Sequence, residues 1–281
     1  MSGHESVTSA AASGMPRLLY GTAWKKERTA DLVATALAQG FRGIDTACQP
    51  KHYHEPGVGE GVARALKTGL RRDELYLQTK FTPLSGQDPE RVPYDPAAPL
   101  AEQVAQSFRV SLKNLRTDYL DGLVLHSPLP GTQLDAVWRA LEAIVDAGGA
   151  RRIGISNCYD PEVLEALHRR ARIKPAILQN RFYVETGYDR EVRAFCRAQS
   201  IVYQSFWTLT ANPRVLGDAR MRALASKLDR TPAQLLFRYL TQRGIVPLTG
   251  TTTIAHMRED LAIFDFELGA EDCAALDSLF V

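Results

Sequence analysis

A chain of 281 residues is long enough to bury one large core. Its hydrophobic share of 45% and charged share of 23% are those of an ordinary water-soluble enzyme. With a net charge of +2, nothing in the charge balance argues for a nucleic-acid or anionic-membrane partner, and neither is expected; no apolar run is long enough to span a bilayer.

In chain order, the first segment, 1–16, opens rich in Ser, Ala and Gly, lacks the apolar centre of a secretory signal, and is expected to be a flexible leader. From 17 to 281 short apolar runs alternate with longer amphipathic ones. Strands are expected at Arg17–Gly21, Gly43–Ala47, Leu75–Phe81 and Leu120–His126, then at Arg152–Asn157, Ala176–Phe182, Ile201–Trp207 and Ile245–Gly250. Between them, Leu100, Val104, Phe108, Leu112 and Leu115 recur at helical spacing, as do Leu134, Val137, Leu141 and Ile144. Val163, Leu164 and Leu167 mark another helix, and Met221, Leu224 and Leu228 one more; Thr231-Pro232 and Gly269-Ala270-Glu271-Asp272 read as helix starts. Strands separated by helices must pair in parallel, and eight such units in this length suit a single (β/α)8 TIM barrel. No strand is followed by GxGxxG, so a Rossmann sheet has no phosphate loop. The longest irregular piece, Thr82–Pro99, is expected to be functional or disordered. Cys48, Cys158, Cys196 and Cys273 are scattered without a CxxC pair, which favours reduced thiols and a cytoplasmic location over a disulfide or zinc framework.

Catalysis in a parallel barrel sits where the strands end. Here those ends are polar: Asp45, Lys80 and His126 on strands two to four, then Ser156-Asn157, Gln179-Asn180 and Gln204-Ser205 on five to seven. A lysine in an apolar strand needs a partner, and Asp45 on the neighbouring strand is the obvious one.

These blocks resemble the aldo-keto reductase superfamily. GFRGIDTACQPKHYHEPGVGE is similar to that family's Asp–Tyr signature, and DELYLQTKF, SLKNLRTDYLDGLVLHSP, ARRIGISN and ILQNRFY are similar to its strand blocks; the likeness extends through TPAQLLFRYLTQRGIVPLTGTT to about Leu279. The resemblance implies a nicotinamide-dependent reduction of an aldehyde or ketone without a Rossmann domain, and a catalytic tetrad of Asp45, Tyr53, Lys80 and His126. Tyr53 would give the proton, Lys80 would lower its pKa, Asp45 would hold Lys80, and His126 would orient the carbonyl. Thr22, Ser156, Asn157, Gln179, Ser205, Trp207 and Leu209 would hold the nicotinamide half and, with Asn212, the pyrophosphate. Thr251, Thr252, His256 and Arg258 would take the nucleotide end, with NADPH preferred and NADH not excluded.

Three departures accompany the likeness. Tyr53 lies three residues further from Asp45 than the family spacing, so those residues must bulge, with His52 and His54 facing solvent. Trp207 either stacks on the nicotinamide or belongs to the core. The lysine that NADP-selective members carry after strand eight is absent at Gly250. The chain's end at Val281 leads us to expect an open pocket walled by Trp24 and the Thr82–Pro99 loop, with a monomer acting on a small-molecule carbonyl. Two other readings stay open: a catalytically weak or inactive cofactor-sensing relative, and a Schiff-base aldolase using Lys80.

Overall fold

The computed structural model describes residues 14–280, so most of the expected leader lies outside the described residues. Met15 and Pro16, placed in that leader by the sequence, are described: Met15 is buried inside the barrel.

Eight parallel strands close on themselves in chain order: β1 (Leu19–Gly21), β2 (Gly43–Asp45), β3 (Tyr76–Phe81), β4 (Gly122–Leu125), β5 (Ile153–Ser156), β6 (Ile177–Arg181), β7 (Val202–Phe206) and β8 (Val246–Thr249). Each falls within the run expected for it. The first two helices, α1 (Thr29–Gln39) and α2 (Glu55–Lys67), had not been singled out by periodicity. Gly57, Gly59 and Gly61 dilute the apolar pattern of α2, where they let its neighbours approach: a Cβ on Gly59 would meet the Asn114 carbonyl oxygen at 2.0 Å. Further along, α4 (Thr132–Asp146) buries its predicted stripe, whereas α3 (Leu100–Leu115) buries Val104 and Leu115 with Gln103, Ser107 and Ser111 and leaves Leu100, Phe108 and Leu112 partly buried. The Thr231–Gln234 capping box, with Pro232 at the first turn, starts the helix Pro232–Gln242.

Alternation along the strands builds two cores. Outward residues such as Leu77, Phe81 and Leu178 pack against the helices. The inward set starts with a dry base, where Met15, Leu19, Tyr76, Ile177, Val202 and Val246 meet. Above it lies a polar layer of three glutamines. Gln78 Nε2 and Gln179 Nε2 both donate to Gln204 Oε1, each at 2.8 Å, and both also reach Asp45 Oδ1, at 2.7 and 3.0 Å. Gln204 Nε2 returns to Gln78 Oε1 at 3.0 Å and reaches Met15 Sδ at 3.3 Å. Gly122 on β4 makes room for this layer, since a Cβ there would sit 2.7 Å from the Tyr76 hydroxyl and 2.9 Å from Gln78 Oε1. Lys80 and Arg181 follow two residues further up their strands, and His126 comes just after β4, at the C-terminal mouth.

Candidate active site

The glutamine layer holds Asp45 from below while Lys80 holds it from the side. Lys80 Nζ lies 2.6 Å from Asp45 Oδ2 and donates to the Thr46 carbonyl at 2.8 Å; both side chains are almost wholly buried. Burial pulls the Lys80 pKa down and the Asp45 carboxylate opposes that pull.

The residues between Asp45 and Tyr53 form a wound turn instead of a loose bulge. Cys48 N–H donates to the Lys80 carbonyl, and His52 and Tyr53 N–H both donate to the Gln49 carbonyl, at 3.3 and 3.1 Å. Gln49 Nε2 pins the turn to the Gly86 carbonyl at 2.7 Å. This brings Tyr53 back over the site, its ring edge-on to His126 with centroids 6.0 Å apart and 5.4 Å from Lys80 Nζ. The expected lowering of the Tyr53 pKa by Lys80 does not occur here: burial, then the Asp45 carboxylate, pushes the phenol up. The ammonium is committed to Asp45 and Thr46 and makes no hydrogen bond to the phenol oxygen.

His126 Nδ1 is 2.6 Å from the Thr82 hydroxyl. Burial, helped by the charge on Lys80, pushes its pKa down to about 3, so the imidazole is neutral throughout the working pH range. His52, expected to face solvent, instead lines the cavity with its ring 4.0 Å from that of Trp24, whereas His54 is exposed at the start of α2.

Asp45, Tyr53, His126 and His52 open into a cavity of about 930 Å³, at the upper end of the usual range for small-molecule sites. One end is formed by Asp45, Tyr53 and His126, the other by His256, Glu259 and Asp260 on the helix Ile254–Leu261. Of the residues expected to hold a cofactor, Thr22, Ser156, Asn157 and Gln179 line it, as do Trp207, Leu209, Thr251 and His256. Trp207 is 46% exposed, which settles it as a mouth residue and not core.

Four expected positions do not reach the cavity. Ser205 is buried behind Trp207, bonded to the Thr208 hydroxyl at 2.9 Å. Thr252 is exposed, and Arg258 turns away to Gln39 Oε1 at 2.8 Å. Asn212 ties the loop internally, donating to the Phe182 and Thr208 carbonyls. The Thr82–Pro99 loop is not part of the wall, though Trp24 is. It folds back on its own stem: Tyr94 donates to the Thr82 carbonyl at 2.8 Å, and Gln87 to the Cys48 and Thr82 carbonyls. Nor does Lys80 line the cavity, which leaves a Schiff-base reading without access to the amine.

Two cations escaped the sequence reading. Lys25 supplies an ammonium at the turn after β8, donating to the Gly250 carbonyl at 2.8 Å, and burial lowers its pKa to about 8. Its signal was the Trp24-Lys25-Lys26 run after β1, judged only for its tryptophan. Arg181, two residues beyond Gln179 on β6, lines the cavity, whereas Lys25 lies behind its wall.

A model of the aldo/keto reductase family matches residues 14–280. The chain belongs to that family. It is 32% identical over 247 residues to a glyoxal reductase of Bacillus subtilis, covering 88% of this chain and 82% of the relative. To an NADPH-dependent D-xylose reductase of Meyerozyma guilliermondii it is 30% identical over 317 residues, covering 98% and 94%. Among solved structures, an aldo/keto reductase from Brucella melitensis superposes with a TM-score of 0.79 at 28% identity, covering 94% of this chain and 95% of that one. The protein is thus an oxidoreductase enzyme on a (β/α)8 barrel, and its relatives support carbonyl reduction. Among the described residues, no helix is long and apolar enough to cross a membrane.

Asp260 carries a stability prediction. Its carboxyl accepts from the Thr249 hydroxyl at 2.6 Å, and burial pushes its pKa from 3.8 up to about 6, with Glu259 adding to the rise and His256 opposing it. A carboxyl whose folded pKa lies above its unfolded one stabilises the fold fully below about pH 4 and loses that contribution as pH rises through about 6. Asp260→Asn keeps the acceptor for Thr249 and removes the charge. It is expected to raise unfolding free energy at pH 7 by up to about 3 kcal/mol and to change little at pH 4, as read by urea denaturation at both values. An equal gain at both would refute the titration.

Proposed function

We propose that this enzyme reduces a small aldehyde or ketone to its alcohol with NADPH, reversibly, and that Tyr53 gives the proton. The observation that carries the reading is the convergence of Tyr53 and His126 on one cavity, directly above a buried Asp45–Lys80 pair.

The residues present fit a nicotinamide dinucleotide. The cavity extends from the Tyr53–His126 end to the helix after β8. Gln179 Oε1 accepts no donor among the described residues, which leaves it for a carboxamide NH2, with Ser156 and Asn157 alongside. One face of the Trp207 ring is taken by Arg181, and the other can support the nicotinamide. Thr251 and His256 on the cavity wall are the donors for phosphate groups, and Lys25, behind the wall at Gly250, would add positive charge where the family carries a lysine after β8. When bound, NADPH supplies the hydride.

The remaining chemistry belongs to the chain. His126 is neutral; with its Nδ1 accepting from the Thr82 hydroxyl, its Nε2–H would donate to the substrate oxygen and stabilise developing negative charge. Tyr53, with its pKa raised, stays protonated at every working pH and so holds the proton ready. An alkoxide, comparable in basicity to hydroxide, takes that proton from a phenol without a large penalty. Lys80 has one N–H left beyond its bonds to Asp45 and Thr46, and this donor would meet the phenolate as it forms.

We read the enzyme as cytoplasmic, on the strength of four free, buried cysteines, and as a monomer. A panel of small carbonyls, with glyoxal and D-xylose among them, tests the function through NADPH consumption. Turnover with a kcat/KM at least ~10-fold higher for NADPH than for NADH is expected, since loss of a charge-assisted phosphate contact costs about that much. A clear NADH preference overturns the choice of cofactor. Tight NADPH binding without turnover on any substrate would instead support a cofactor-sensing protein.

A further inference from the structure

β6 leaves a charged group at the mouth with nothing to balance it. Because side chains alternate along a strand, an inward Gln179 places Arg181 on the same wall, nearer the opening. Its guanidinium carbon lies 4.3 Å from the centroid of the Trp207 ring and 5.0 Å from that of Tyr183. Among the described residues, no carboxylate or carbonyl accepts a hydrogen bond from its side chain, and its Nε is buried without a partner. The acids nearby are otherwise engaged or remote. Asp45 is bound to Lys80 and two glutamines. Asp189 holds Asn180 and Tyr203 on the outer side of the strand. Asp260 holds Thr249, and Glu259 belongs to the helix after β8.

A fully solvated arginine can stay unpaired at no cost, whereas a half-buried one with a dry Nε calls for a partner. Stacking on aromatic rings occupies the flat faces of the guanidinium and leaves its in-plane N–H fork free, the arrangement that grips a carboxylate with two parallel hydrogen bonds. The backbone that carries this side chain is tied to the reaction end. Tyr159 Oη accepts from the Arg181 backbone N–H at 3.2 Å and donates to Asn157 Oδ1 at 3.1 Å, while Asn157 Nδ2 donates to the His126 carbonyl at 2.8 Å. The phosphate donors Thr251 and His256 and the Lys25 charge come from the segments after β8 and β1, on the far side of β7.

We propose that Arg181 binds a carboxylate of the substrate, so that the preferred carbonyl compounds are oxo or formyl acids. This rests on the reductase reading and names its substrate class.

The test compares 2-, 3- and 4-carboxybenzaldehyde with the matching formylbenzamides, which have the same shape and no charge. For at least one ring position, kcat/KM for the acid is expected to exceed that for the amide by ~10-fold or more, mostly through KM. Arg181→Met should bring that ratio to within about twofold of unity, and Arg181→Lys, which keeps charge but loses the fork, should retain part of it. Circular dichroism checks that both variants fold, and the lysine variant carries the comparison if the methionine one does not. An acid-to-amide ratio near unity at all three positions in the wild type, or one unchanged in both variants, overturns the proposal. A weakened KM for NADPH with an unchanged ratio assigns Arg181 to the cofactor and overturns it as well. If neither aldehyde series oxidises NADPH, the reductase reading fails separately. Tryptophan fluorescence titrations of the same acids and amides, in wild type and Arg181→Met, then decide the carboxylate site alone.

Discussion

Replacing Tyr53 with phenylalanine is expected to lower kcat for carbonyl reduction by about 10²–10⁴-fold, the usual contribution of a positioned acid, with NADPH affinity within about twofold of wild type. The ring fills its space against His126 as before, and only the hydroxyl is lost. Stopped-flow measurement of NADPH oxidation, together with fluorescence titration of the cofactor, separates the two effects. Full activity in Tyr53→Phe would remove this residue as the proton donor. Because the phenol is held above its ordinary pKa and His126 far below its own, neither group titrates near neutrality. A wild-type kcat that stays flat between about pH 5 and 8 belongs to the same prediction.

Lys80→Met is expected to cost about 3–5 kcal/mol of folding stability, because it strands Asp45 as a buried charge without its cation. Gln78 and Gln179 still donate to that carboxylate, which puts the loss toward the lower figure. Adding Asp45→Asn removes the orphaned charge, so the double variant should unfold at a higher urea concentration than Lys80→Met alone. Additive losses in the double variant would show that the two side chains do not act as a pair. Both proteins are also expected to have lost carbonyl turnover, and no stability gain restores it.

The barrel was readable because parallel strands buried on both faces appear as short apolar runs, which marked all eight within a residue or two at each end. The tetrad positions could be placed on the chain by resemblance, but the path to Tyr53 could not. Its extra residues close through backbone bonds to Gln49 and one amide bond to Gly86, contacts that no residue pattern announces. Gln204 is read from the sequence as a polar strand-end residue, and Gln78 only as part of the strand-three block. That they join Gln179 in one layer beneath Asp45 follows from strand stagger around a closed sheet, which only the three-dimensional register fixes. Arg181 was legible in principle, since the two-residue period that turned Gln179 inward turned it inward too. Thr82–Pro99 misled because its length suggested a wall, while its polar groups were destined for its own stem.

Met15 stoppers the far end of the barrel, its thioether against Gln204 and its neighbours apolar. Among the described residues, the cavity therefore opens at the strands' C-terminal mouth, with Trp24, His52 and Trp207 on its wall. On the reductase reading, substrate, product and the solvent proton would pass those rings, so the wall they make would bear on which molecules are admitted.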